Sequence, residues 1–146
     1  MLYFTTEKQL GGFIMLYFYP EDFGALGNGV NNDCVAIQSA IDKAEENGGG
    51  TVVLTSGKTY YSDSIRMKKN VELHLQKGSR LKATDNIDGY IRPCNMINDP
   101  KTALIGNPVT GKPSFVFIYG YEADGCTISG EGIIDANGHA FVERKD

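Results

Sequence analysis

No apolar run in this sequence approaches the roughly 18 residues that a membrane span requires. The longest candidate, Leu10 to Pro20, is interrupted by Gly11 and Gly12, so no membrane partner is expected. The start also lacks the basic, apolar, small-residue order of an export signal, because the apolar Met1 to Phe4 is followed by the mixed Thr5 to Gln9. Its absence favours a cytoplasmic location. Cysteine is sparse: Cys34, Cys94 and Cys126 are odd in number, far apart and without a C-x-x-C pair. That spacing excludes a disulfide framework and a zinc site, so reduced thiols and no metal are expected. A basic excess is missing too, with 14 Lys and Arg against 18 Asp and Glu and a net charge of -4, which argues against a nucleic-acid partner held by bulk charge.

What is present is glycine, at 18 of 146 residues, which implies many tight turns. Apolar residues at 41% and charged residues at 22% exclude intrinsic disorder, and the length suits one core of ordinary domain size. Met-Leu-Tyr-Phe occurs at residues 1–4 and again at 15–18, which makes Met15 a candidate first residue that N-terminal peptide mapping would test.

One helix is predicted over 33–46, where Ile37, Ala40, Ile41 and Ala44 follow the spacing of a single buried face. Asn32 or Asp33 can cap its start, and Asn47 with Gly48, Gly49 and Gly50 ends it. From Thr51 the pattern turns to short β runs: Thr51–Leu54, Thr59–Tyr61, Val71–Leu75, Phe115–Tyr119, Cys126–Ser129 and Gly132–Ile134. In Val71–Leu75 the alternation is strict, placing Val71, Leu73 and Leu75 inward and Glu72 and His74 outward. Such short strands fit either a small sandwich or a solenoid of β coils. Four of the five prolines lie between Pro93 and Pro113, within a long loop predicted at about 85–113.

The stretch from Asp22 to Asp42, D-F-G-A-L-G-N-G-V-N-N-D-C-V-A-I-Q-S-A-I-D, followed by Gly48-Gly-Gly-Thr-Val-Val-Leu54, resembles the opening of pectate-lyase-like right-handed parallel β-helix proteins. Ser64 to Leu75, Gly78 to Leu81 and Asp88-Gly-Tyr90 follow in the order of that family's first coils. Ile128-Ser-Gly-Glu-Gly-Ile-Ile-Asp-Ala-Asn-Gly138 is similar to a segment of glycoside hydrolase family 28, the polygalacturonases and their relatives. Asn28, Asn31 and Asn32 depart from the usual Asp-Gly-x-Thr-Asp-Asp pattern, a variation suited to a capped turn.

The resemblance implies an all-β fold: a right-handed single-stranded parallel β-helix, a solenoid with an N-terminal capping α-helix, incomplete at the C-terminus. Residues 1–16 would form an N-terminal extension, 17–50 a cap and 51–146 the first coils. Val52, Leu54, Ile65, Val71, Leu73, Leu75, Leu81, Val116, Ile118, Ile128 and Ile133 would share one core. Family 28 enzymes hydrolyse α-1,4-galacturonosidic linkages with inversion, which needs carboxyls roughly 6.5 to 9.5 Å apart. The family draws these groups from Asn-x-Asp, Asp-Asp, Gly-His-Gly and Arg-x-Lys motifs on later coils. Catalytic residues are therefore expected beyond Asp146, the chain alone is expected to be inactive, and no cofactor is implied. The family is commonly secreted, against the cytoplasmic leaning of the first residues.

Candidate sites within the chain are few. Tyr119 and Tyr121 could form an aromatic sugar platform, although aromatic residues also simply favour strands. His139, in Gly138-His139-Ala140, superficially matches Gly-His-Gly but follows the pre-catalytic turn, and an exposed histidine is the plainer reading. Glu131 and Asp135 are a conceivable acid/base pair or ordinary turn carboxylates. Residues 63–82, with Arg66, Lys68, Lys69, Lys77, Arg80 and Lys82 against Asp63 and Glu72, offer a basic region for an anionic chain or solvated turns of a coil. Gly27-Asn-Gly29 lacks the third glycine of a dinucleotide turn. A polysaccharide is the expected partner. Two alternatives stay open: a non-catalytic polysaccharide-binding module of tail-spike or adhesin type, and a remnant that self-associates through an uncapped last coil.

Overall fold

The computed structural model describes residues 6–10, 13–90 and 116–141. In chain order these hold β1 (Thr6–Leu10), β2 (Phe13–Phe18), β3 (Asn28–Asn32), α1 (Cys34–Glu46), β4 (Gly50–Leu54), β5 (Thr59–Ser62), β6 (Ile65–Met67), β7 (Val71–Leu75), β8 (Arg80–Ala83), β9 (Ile118–Gly120), β10 (Thr127–Gly130) and β11 (Ile133–Asp135). Short 3-10 turns lie at Pro20–Phe23, Ile87–Gly89 and Gly138–Phe141. The expected loop at 85–113 begins with the second of these turns; from residue 91 it falls outside the described residues, as do Cys94 and Phe115.

The strands form three sheets, ordered β1-β2-β4-β7-β10, β3-β5-β8-β11 and β6-β9. Only β1 with β2 is antiparallel among the described pairs. From β4 onward the chain visits the first, second and third sheet in turn, then repeats the sequence. The fold is thus mostly β, with parallel sheets and one α-helix.

Register turns this repetition into columns of stacked side chains. Val52 pairs with Leu73 and Leu73 with Ile128; Tyr60 pairs with Leu81 and Leu81 with Ile134; Ile65 pairs with Ile118. Val52, Leu54, Tyr60, Ile65, Val71, Leu73 and Leu81 are fully buried. β7 alternates as predicted, with Val71, Leu73 and Leu75 buried and Glu72 and His74 half-exposed.

The last strands correct the expected core. Ile128 stands in the core column yet is 44% exposed, because β10 ends its sheet and no described residue stacks on its far side. Ile133 is 52% exposed for a second reason: it pairs with the outward Arg80, so Ile134 and not Ile133 shares the column of Tyr60 and Leu81. A one-residue difference in parity moves a strand residue to the opposite face. Val116 and Ile118 are half-buried.

The helix α1 packs its buried Ile37, Ala40, Ile41 and Ala44 on β2, β4, β6, β7 and the Pro20–Phe23 turn. At its start the N-cap position is Asp33, which makes no side-chain capping bond, and the preceding Asn32 takes up the first helical N–H, its Oδ1 accepting from Cys34 N at 3.0 Å. Asp33 turns away, its carboxylate accepting from Leu26 N at 2.8 Å and Gly27 N at 3.1 Å. At the other end Gly48 N donates to Glu45 O at 2.8 Å and Gly49 N to Ala44 O at 2.9 Å, the paired bonds of a Schellman closure. Between the ends, Gln38 Nε2 donates to Arg66 O at 3.1 Å while Gln38 Oε1 accepts from Arg66 N at 2.9 Å. One side chain therefore satisfies both backbone groups of Arg66 on an edge of β6 that no described strand covers.

The 3-10 turn is tied to the stack by Glu21, whose Oε1 accepts from Tyr60 OH at 2.6 Å and lies 3.2 Å from Lys58 Nζ. Burial alone would raise the Glu21 carboxyl, but hydrogen bonds from Tyr60 and Lys58 outweigh it and hold the carboxyl below its ordinary value. The three asparagines that depart from the family pattern are each engaged: Asn28 Oδ1 accepts from Val30 N and Asn31 N, Asn28 Nδ2 donates to Asn31, and Asn32 Nδ2 donates to Asp63.

Candidate functional site

In the third sheet Ile65 and Met67 point inward, at 0% and 3% exposure, so Arg66 between them points outward. Parallel register sets Tyr119 beside it. The Arg66 guanidinium carbon lies 6.0 Å from the ring centroid of Tyr121, close enough for cation–π attraction. Arg66 Nε is buried and has no hydrogen-bond partner among the described residues. Nearby on the chain, Lys68 Nζ is held 3.0 Å from Glu45 and 3.9 Å from Asp42, so its charge is largely answered by α1. Burial pushes the Tyr119 hydroxyl above its ordinary value, opposed by the positive charges of Arg66 and Lys68. This arrangement offers one guanidinium and two aromatic rings, Tyr119 on β9 and Tyr121 just past its end, chemistry suited to a carboxylate beside an apolar ring face.

Of the candidates predicted from sequence, Tyr119 and Tyr121 are brought to this face and His139 is not. His139 is exposed in the turn that follows β11 of the second sheet. Asp135 is committed to structure: Asn137 N donates to its Oδ1 at 2.9 Å and Arg80 Nη1 lies 3.0 Å from its Oδ2, which together hold its carboxyl low. Glu131 is exposed in the bend between β10 and β11, at the other end of β11 from Asp135. Asn137 Nδ2 also donates to Ala83 O, so Asp135 and Asn137 clamp β11 to β8. The basic region of 63–82 is divided among sheets and turns, with Lys68 and Arg80 already paired.

The Asp88-Gly-Tyr90 motif is likewise a structural joint. Tyr90 is buried and donates its hydroxyl proton to Thr84 O at 2.6 Å, while Thr84 Oγ1 donates to Asp63 Oδ1. A Cβ at position 89 would collide with the Asp63 carboxylate, so only glycine lets this corner close. Among the described residues no group of three or more His, Cys, Asp and Glu is placed to hold a metal ion.

A second polar array lies on the outward face of the first sheet. Thr51 Oγ1 donates to Glu72 Oε2 at 2.9 Å, Ser129 Oγ donates to Glu72 Oε1 at 2.5 Å, and His74 Nδ1 lies 2.7 Å from Ser129 Oγ. Ser129 first and Thr51 after it lower the Glu72 carboxyl, against the opposing effect of burial. Sequence reasoning missed this array because Glu72 and Ser129 are 57 positions apart, as it missed the Arg66 and Tyr119 neighbourhood. Parallel register alone brings such residues together.

Comparison with known proteins gives the architecture relatives. Depolymerase 1 from Klebsiella phage KN3-1, described as capsule KN3-specific, is 32% identical over 103 residues, covering 70% of this chain and 13% of that protein. The family 28 exopolygalacturonase of Yersinia enterocolitica superposes with a TM-score of 0.67 at 25% identity, covering 83% of this chain and 21% of that one. The hyperthermoactive exopolygalacturonase of Thermotoga maritima superposes with a TM-score of 0.63 at 19% identity, covering 91% and 27%, and shows likeness of fold. The chain thus spans about a quarter or less of each of these relatives. A family profile matches residues 21–136, from the Pro20–Phe23 turn to the β11 clamp. The chain belongs to the family described as rhamnogalacturonase A/epimerase, pectate lyase-like.

Proposed function

We propose that this chain forms the capped end and first coils of a right-handed parallel β-helix that acts on an acidic polysaccharide. The strict rotation through three sheets supports the solenoid, and α1 with Gln38 on the free edge of β6 supports the cap. The observation that carries the substrate reading is the Arg66, Tyr119 and Tyr121 face, which joins a cation to aromatic surface. The two similar exopolygalacturonases favour a galacturonate polymer and a hydrolytic parent protein. On this reading the general acid and base belong to sequence beyond Asp146, and this chain binds without cleaving.

Calorimetric titration of the full chain with trigalacturonate, beside a reducing-end assay on polygalacturonate, tests both halves. Binding that weakens about tenfold in Arg66→Ala, the scale of one charge-assisted hydrogen bond, is expected, with no reducing ends released. Absence of binding overturns the substrate reading, and release above a boiled control overturns the inactivity.

A second reading is favoured by the phage depolymerase relative: a polysaccharide-binding module of tail-spike type. It calls for a trimer by light scattering. Self-association through the edges of β10 and β11 on which no described strand lies calls instead for a mass that grows with concentration.

A further inference from the structure

The outward array of the first sheet joins Glu72, Ser129 and His74 in one hydrogen-bonded chain. Register places Thr51, Glu72 and Thr127 in one row and Val53, His74 and Ser129 in the next. A hydroxyl carries one proton, and Ser129 gives it to the Glu72 carboxylate. Ser129 Oγ is then left to accept from His74 Nδ1–H, and in the neutral ring that tautomer leaves the lone pair on Nε2. The His74 side chain is 38% exposed, and no described residue bonds Nε2. A carboxylate at the end of such a chain polarises each link and makes Nε2 a better acceptor. Beside the array lies a cleft of about 360 Å³, lined by Met15, Thr51, Asn70, Glu72 and the turn Gly48 to Gly50. His74 does not line that cleft but stands two residues along β7 from Glu72, which does, about 6.6 Å further along the same outward face.

We propose that this strip is a second saccharide-binding site, distinct from the Arg66 face, where His74 Nε2 accepts a hydroxyl proton from a neutral sugar unit. Glu72 and Ser129 are positioning residues that fix the imidazole tautomer. The inference rests on the reading that the chain acts on polysaccharide, and it assigns the two faces different sugars. Arg66 suits a uronate, whereas the ionised Glu72 repels one and leaves neutral hydroxyl-bearing units as the fitting ligand.

The test is nitrogen-15 NMR of the full chain near neutral pH, with galactotetraose as the neutral probe and trigalacturonate as the acidic one. The long-range proton–nitrogen correlation of His74 is expected to show Nδ1–H, and galactotetraose is expected to shift His74, Glu72 and Thr127. Ser129→Ala is expected to release the ring to Nε2–H and weaken galactotetraose about fivefold, the scale of one hydrogen bond, with trigalacturonate binding unchanged. His74→Gln, which leaves Glu72 and Ser129 in place, is expected to weaken galactotetraose similarly if the serine variant does not fold. An Nε2–H tautomer in the unmodified chain overturns the inference, as does saturating galactotetraose that leaves His74 unmoved. Trigalacturonate shifting Tyr119 and Tyr121 without any galactotetraose response removes the second strip alone. The reverse pattern removes the Arg66 reading alone.

Discussion

Leu73 and Ile128 occupy the same column of the first sheet, one strand apart, yet Leu73 is 0% exposed and Ile128 44%. Leu81 and Ile134 repeat the contrast in the second sheet, at 0% and 43%. The side chains are similar in size and apolar character. What differs is the neighbourhood: β7 and β8 have a strand on each side, whereas among the described residues β10 and β11 have one on a single side. In stacked strands burial is a property of the interface between repeats more than of the residue.

Several substitutions break or sharpen that contrast. Leu73→Ala is expected to cost about 2 to 5 kcal/mol, the range for a buried leucine with strands on both sides, read by denaturant midpoint. The covered edge of β6 comes next: Gln38→Leu leaves the Arg66 N–H and C=O unpaired and is expected to cost about 1 to 3 kcal/mol. Loss of Arg66 amide protection from hydrogen exchange should accompany it. A smaller effect concerns pH. Because Glu21 is held below its ordinary value in the folded chain, its contribution is fully present above the ordinary carboxylate range and is lost as pH falls through the depressed value. Glu21→Gln should therefore flatten the acid side of the stability profile, measured as denaturant midpoint against pH. Smallest of all, Ile128→Ser is expected to change stability by no more than about 0.5 kcal/mol. A cost as large as that of Leu73→Ala would show that β10 is covered in solution and dissolve the contrast.

Legibility followed periodicity. The helix was readable because Ile37, Ala40, Ile41 and Ala44 repeat at helical spacing, and β7 because its alternation is strict. β3 was not, since Asn-Gly-Val-Asn-Asn is almost wholly exposed and is held by asparagine side chains and pairing with β5. β6 has three residues, too few to show a period. Asp135 looked like a possible acid until its partners Arg80 and Asn137 were placed. The Arg66 face and the His74 array were illegible for one reason: each depends on parallel register between distant strands, which no local pattern encodes.

The spacing of the strands also bears on how the stack assembles. Thr51 reaches Glu72 across 21 positions, but Glu72 reaches Ser129 across 57. Ring-closure entropy grows with the logarithm of the intervening length, so the longer step costs about 0.9 kcal/mol more. Growth that starts at α1 therefore meets an early pair of short, cheap closures and then a single slow one. The folding rate of the last coil is set by chain statistics, while its retention is set by the contacts it makes on arrival.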